Sequence, residues 1–280
     1  MRLINPPVFQ TRCRCSKLSW GRIWWIGLVG LALGSFDGRA AAPLRELETD
    51  RPDATESPVT VDRGHFQLES SFFSFSRDDS AGVRTETWGV AESNIKYGIS
   101  DQIDLQLVFT PYVKETVTMG GGKTSVEDFS DLTLRLKYNL WGNDDGSTAF
   151  GLMPVVKIPT QTSVSNGRWE GGLIAPFSWR AGDRWGVGAQ GQIDRVYDET
   201  NGEMDWEFSH TVVVGFDLTD RFGLYLEYLG VAGDRPYDSF FSGGVTFGLS
   251  EMVQLDAGTL IGLNQAAEDV TVFSGISWKF

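Results

Sequence analysis

From Gly64 to Phe280 the chain alternates apolar and polar side chains in runs too long for an ordinary globular sheet. Leu132, Leu134, Leu136, Tyr138 and Leu140 interleave with Thr133, Arg135, Lys137 and Asn139. Met204, Trp206, Phe208, His210, Val212, Val214, Phe216 and Leu218 likewise interleave with a mostly polar set. Period two sends successive side chains to opposite faces of a strand, so each run has one greasy face and one polar face. Strands of about five or six residues suffice for a typical soluble sheet, and the 204–218 run is far longer.

The rule places strands near 64–76, 83–99, 102–114, 129–141, 147–159, 169–181, 184–197, 204–218, 221–231, 239–249, 252–262 and 270–280. Tight turns at Ser100-Asp101, Gly182-Asp183, Thr219-Asp220 and Ser250-Glu251 alternate with longer loops at 115–128, 160–168, 198–203, 232–238 and 263–269. The longest, 115–128, contains Gly120-Gly121-Gly122 and reads as a flexible loop. An even strand count with short turns at one end and long loops at the other is the pattern of an outer-membrane barrel. A soluble β-sandwich alternates too, but it has open edges; lipid demands closure because no water satisfies an exposed strand edge. The expected class is all-β, a transmembrane antiparallel β-barrel of about 12 strands. A mean hydropathy of −0.17 and the lack of a long uncharged run after residue 36 exclude a helical membrane protein. Pro154 and Pro176 fall inside expected strands and cannot donate to a ladder, so bulges or shortened strands are expected there. Trp141, Trp179, Trp185, Phe222 and Trp278 lie at strand ends, where an interfacial girdle would form.

Residues 1–42 read as an export signal: a basic leader (Arg2, Arg12, Arg14, Lys17, Arg22), an apolar run Ile23–Phe36, and Ala40-Ala41-Ala42 for cleavage. Both cysteines, Cys13 and Cys15, lie in this leader, so the exported chain should hold no disulfide and no thiolate metal site. Cleavage removes six of the 24 basic residues and one of the 37 acidic ones. The remainder is strongly acidic, which argues against a nucleic-acid partner. Residues 43–63 form a polar segment, and 64–280 the barrel.

Glu48-Thr49-Asp50-Arg51-Pro52-Asp53, then Ser57-Pro58, Gly64, Gln67-Leu68-Glu69, and Lys157-Ile158-Pro159-Thr160 closing a strand, resemble the outer-membrane family named for the meta-pathway of phenol degradation. The resemblance implies a transporter or channel for small solutes, aromatic or hydrophobic compounds among them, in the outer membrane of a Gram-negative type cell. It names no solute.

By parity the interior holds Glu69, Glu92, Lys96, Asp104, Gln106, Arg135, Lys137, Lys157, Gln190, Gln192, Asp194, Asp205, Glu207, Glu227, Gln254 and Asp256. Twelve strands lie between barrels filled by side chains and porins with an aqueous channel, so these charges either line a narrow pore or pair across a plugged lumen. A further alternative is a non-conducting surface or structural barrel that acts through its loops. An enzyme is not expected: Ser165-Asn166-Gly167 resembles part of an outer-membrane phospholipase motif, but Ser163 stands where that motif has histidine, and His210 faces lipid by parity. No metal or cofactor site is expected. Expected partners are outer-membrane lipid, an unidentified small solute and the barrel-insertion machinery, for which the terminal Trp278 and Phe280 on the lipid-facing parity form a candidate assembly signal.

Overall fold

The computed structural model describes residues 44–280 apart from Asp145 and Thr200, so the expected export signal lies outside the described residues. Fifteen strands form one antiparallel sheet: β1 (Phe66–Ser80), β2 (Val83–Val90), β3 (Ser93–Ser100), β4 (Ile103–Phe109), β5 (Tyr112–Met119), β6 (Gly122–Asp128), β7 (Leu132–Trp141), β8 (Thr148–Ile158), β9 (Glu170–Arg180), β10 (Trp185–Asp198), β11 (Glu203–Asp217), β12 (Phe222–Ala232), β13 (Asp238–Ser250), β14 (Val253–Gly262) and β15 (Val270–Lys279). β1 pairs with β15 and closes the cylinder. The pairs β2/β3, β4/β5 and β6/β7 are each one wall strand with a short break, which makes a closed barrel of twelve. β1 shows why: Phe66–Ser70 pairs with β3, and Phe73–Ser80 pairs with β2. The breaks fall at Ala91-Glu92, Thr110-Pro111 and Phe129–Asp131; Pro111 has no N–H to give a ladder.

Burial runs inside out. Asp104 and Gln106 are fully buried and Lys137 is 1% exposed, whereas Leu105, Trp141 and Trp206 are 44%, 50% and 58% exposed. A soluble protein could not hold such a surface in water, and a bilayer provides the apolar solvent it requires. The girdle tryptophans Trp141, Trp179, Trp185 and Trp278 all lie outward near the short-turn end. Trp141 stacks on Phe150, Trp185 packs against Phe216, and Phe280 touches both Phe66 and Trp278.

Two expectations are corrected. Residues 115–128 are no flexible loop: β5 and β6 pair from Val113↔Asp128 to Met119↔Gly122. They turn on Gly120-Gly121, whose φ values of 58° and 83° give the positive-φ pair of a tight hairpin. The two glycines that suggested flexibility supply the turn. The two prolines bring neither the bulge nor the shortened strand expected of them: β8 and β9 run through Pro154 and Pro176 in unbroken register, and each proline lacks a ladder partner on one side only while pairing on the other, Pro154↔Leu173 and Pro176↔Gln190. Between β7 and β8 the register passes from Arg135↔Val155 to Tyr138↔Leu152, skipping Pro154, and between β8 and β9 it passes from Phe150↔Phe177 to Met153↔Ile174, skipping Pro176.

Candidate functional site: a segment inserted in the lumen

Residues 44–63 enter the barrel at the short-turn end, reach mid-lumen around Ala54–Glu56, and return to that end before β1 begins. Pro52 and Pro58 keep this stretch from joining a ladder. Its backbone N–H groups therefore need side-chain acceptors, and the inward residues of the wall provide them. The N–H of Asp50 donates to the Glu69 carboxylate at 3.1 and 3.2 Å, and that of Ala54 to Glu227 at 3.0 and 3.2 Å. Glu56 N–H donates to Gln190 Oε1 at 2.8 Å, Thr60 N–H to Asn143 Oδ1 at 3.0 Å, and Val61 N–H to Asp104 Oδ2 at 3.0 Å. The peptide Arg51-Pro52 is cis.

The second layer is ionic. Asp50 receives Lys96 Nζ on one oxygen and Lys137 Nζ at 2.7 Å on the other, while Ser57 N–H donates to it at 2.9 Å. Lys96 also contacts Glu69. Arg51 clasps Asp256 through Nη2 at 2.8 Å and Nε at 3.2 Å, with its guanidinium 5.8 Å from the centre of the Phe273 ring. Arg135 donates to Glu56 at 2.7 Å. The inserted segment itself spans nothing, and its two central acids sit in opposite fields. Burial would raise the Asp50 carboxyl, but Lys137 and Lys96 override it and hold the group well below the usual carboxylate range. Burial and the adjacent Asp50 push Glu56 up, against Arg135. Near the entrance Asp62 joins Arg45 at 2.9 Å to Lys279 at 3.1 Å, fastening the segment to the last wall strand.

Of the interior candidates, Glu69, Lys96, Asp104, Arg135, Lys137, Gln190, Glu227, Gln254 and Asp256 meet this segment, Gln254 through Thr49 Oγ1 at 3.2 Å. Gln106 and Gln192 steady their own acids: Gln106 donates to Asp104 at 2.9 Å and Gln192 to Asp194 at 2.8 Å. Lys157 belongs to a separate cluster nearer the long loops, with Asp131 at 3.3 Å, Glu170 at 3.0 Å and Asn166 at 2.7 Å. Glu207 is buried near the same end, whereas Asp205 is half-buried and takes Asn201 of the turn at 3.2 Å. Ser165 accepts from Gly167 N–H at 3.0 Å within its turn, and His210 lies outside against Tyr237 at 3.1 Å. Missing from the interior candidates were Asp50, Arg51, Thr55, Glu56 and Asp62. Parity cannot assign a residue that belongs to no strand. The available signal is a charge imbalance: the interior candidates hold eight carboxylates against four cations, so acceptors such as Glu227 and Asp256 await donors that no wall strand supplies.

The close fit at the entrance is testable. Gly98 of β3 lies where the segment leaves the lumen; a Cβ there would run into the carbonyl of Asp62. Gly98→Ala should cost about 1–3 kcal/mol of docking, as overpacking does. The expected readout is faster proteolytic clipping of 44–63 with the heat-modifiable barrel band retained. Clipping at the wild-type rate would show that the entrance has slack.

A crystal structure of an outer membrane channel from Pseudomonas putida F1 is similar over 83% of this chain and 100% of its own, at 15% identity and a TM-score of 0.62, which supports the fold. The NanC porin is more distant, with 10% identity over 77% of this chain and all of its own and a TM-score of 0.49. No curated protein matches the chain. The family model described as "Putative MetA-pathway of phenol degradation" matches residues 49–280, and the chain belongs to that family.

Proposed function

We propose that the barrel is an outer-membrane channel for small apolar or aromatic solutes, closed at its periplasmic half by residues 44–63. The observation that carries this reading is how the segment is held: no wall strand exchanges a continuous ladder with it, and side chains bind it from Glu69, Glu227, Asp104, Lys137 and Asp256. A segment held in that manner can leave without unravelling the sheet. Two apolar patches on the inner wall support the solute class: Met153, Val155 and Ile174 on β8 and β9, and Leu229 and Val231 on β12 with Phe240. The family description and the channel named for the structural relative point the same way. In this reading residues 1–42 are the export leader, and the short turns face the periplasm.

The test is single-channel recording in planar bilayers with 4-nitrophenol as probe. Small unitary currents are expected, interrupted by blockades that lengthen as the phenol is added. A silent barrel would favour a non-conducting surface role, and currents insensitive to 4-nitrophenol would remove the apolar-solute assignment.

A further inference from the structure

On the outer wall near the long-loop end, two arginines sit over aromatic rings. The Arg168 guanidinium sits 4.7 Å from the centre of the Tyr197 ring, and that of Arg195 sits 5.3 Å from Trp206. The lipid-facing parity of β10 runs Trp185, Val187, Ala189, Gly191, Ile193, Arg195, Tyr197. From Trp185 to Ile193 the tilted strand climbs about 20 Å, close to the height of an outer-membrane apolar band, so Arg195 is the first residue above it. Trp169 and Trp206, 62% and 58% exposed, mark the same level.

The other arginines near this end are neutralised: Arg77 and Arg84 by Asp79, and Arg235 by Asp198 at 3.0 Å. Among the described residues neither Arg168 nor Arg195 is ion-paired. The adjacent acids turn away, since Glu170 is bound to Lys157 in the lumen and Asp194 is buried there with Gln192. Opposite Arg195 on β9 stands Gly171, which puts no side chain on the surface between Trp169 and Leu173. Arg195 and Tyr197 are about 7 Å apart along one face, so both guanidiniums come within reach of one headgroup. A ring beneath a guanidinium occupies its face and leaves the N–H edge free, the geometry suited to a phosphate oxygen pair.

We propose that this surface at the extracellular ends of β9, β10 and β11 binds the phosphate groups of the glycolipid of the outer leaflet, with acyl chains lying on the apolar wall below. The assignment rests on the membrane fold and holds whether or not the lumen conducts.

Native mass spectrometry of the full-length exported barrel in detergent tests it, with bisphosphorylated lipid A, its fully dephosphorylated form and inorganic pyrophosphate as probes. The wild type should retain bisphosphorylated lipid A at least about tenfold better than the dephosphorylated form, and Arg168→Ala/Arg195→Ala should erase that preference. Arg168→Lys/Arg195→Lys should keep part of it. Equal retention of the two lipids by the wild type, or an undiminished preference in the alanine pair, overturns the proposal. Displacement of the lipid by pyrophosphate at equal concentration would show a site for a free anion and overturn the lipid assignment.

Discussion

Replacing residues 49–58 with a Gly-Ser stretch of equal length should raise single-channel conductance several-fold while the barrel remains heat-modifiable. The replaced residues carry Asp50, Arg51, Thr55 and Glu56, so the exchange removes the Lys96 and Lys137 ion pairs, the Asp256 clasp and the Glu227 contacts in one step. The wall depends on none of these, because it is held by strand pairing from β1 round to β15. Lys96, Arg135 and Lys137 would then face open water in the lumen and add fixed positive charge, while the released Glu69, Glu227 and Asp256 add negative charge. Selectivity of the opened pore is set by that balance and not by the overall net charge of −13. Conductance equal to wild type would mean that residues 49–58 do not close the path, and the gating part of the proposed function would fall.

Much of this architecture is legible in alternation alone. Leu134 and Arg135 are neighbours in sequence, yet one is 39% exposed to lipid and the other 3% exposed in the lumen, as period two demands. Strand ends were less legible, because the wall continues beyond the membrane where alternation weakens; β6 is exposed on both faces, and its Gly120-Gly121 turn imitates a flexible loop. The inserted segment could not be read by period at all. Thr49-Asp50-Arg51-Pro52-Asp53 carries no alternation, and its role follows from long-range partners such as Asp256 and Lys137, which only closure of the barrel brings to it. Its distinctiveness as a family feature was visible, and its place in the lumen was not.

The strongest single lever on that segment is Asp50. Asp50→Ala leaves Lys96 with Glu69 but strands Lys137, whose ammonium is 1% exposed and has Asp50 as its ion-pair partner among the described residues. Burying two charges together roughly breaks even against an apolar pair, whereas removing one partner costs about 3–5 kcal/mol because the other stays desolvated and uncompensated. The closed arrangement should therefore weaken about a hundredfold or more relative to the released one, seen as a higher open probability and faster clipping of 44–63. Asp50→Ala/Lys137→Met removes both charges and should recover most of the loss, while Lys137→Met alone should cost less than Asp50→Ala because Lys96 still holds Asp50. A strictly additive cycle, in which Lys137→Met makes Asp50→Ala worse by its own full cost, would show that the pair does not hold the segment and would move the latch to Arg51 and Asp256.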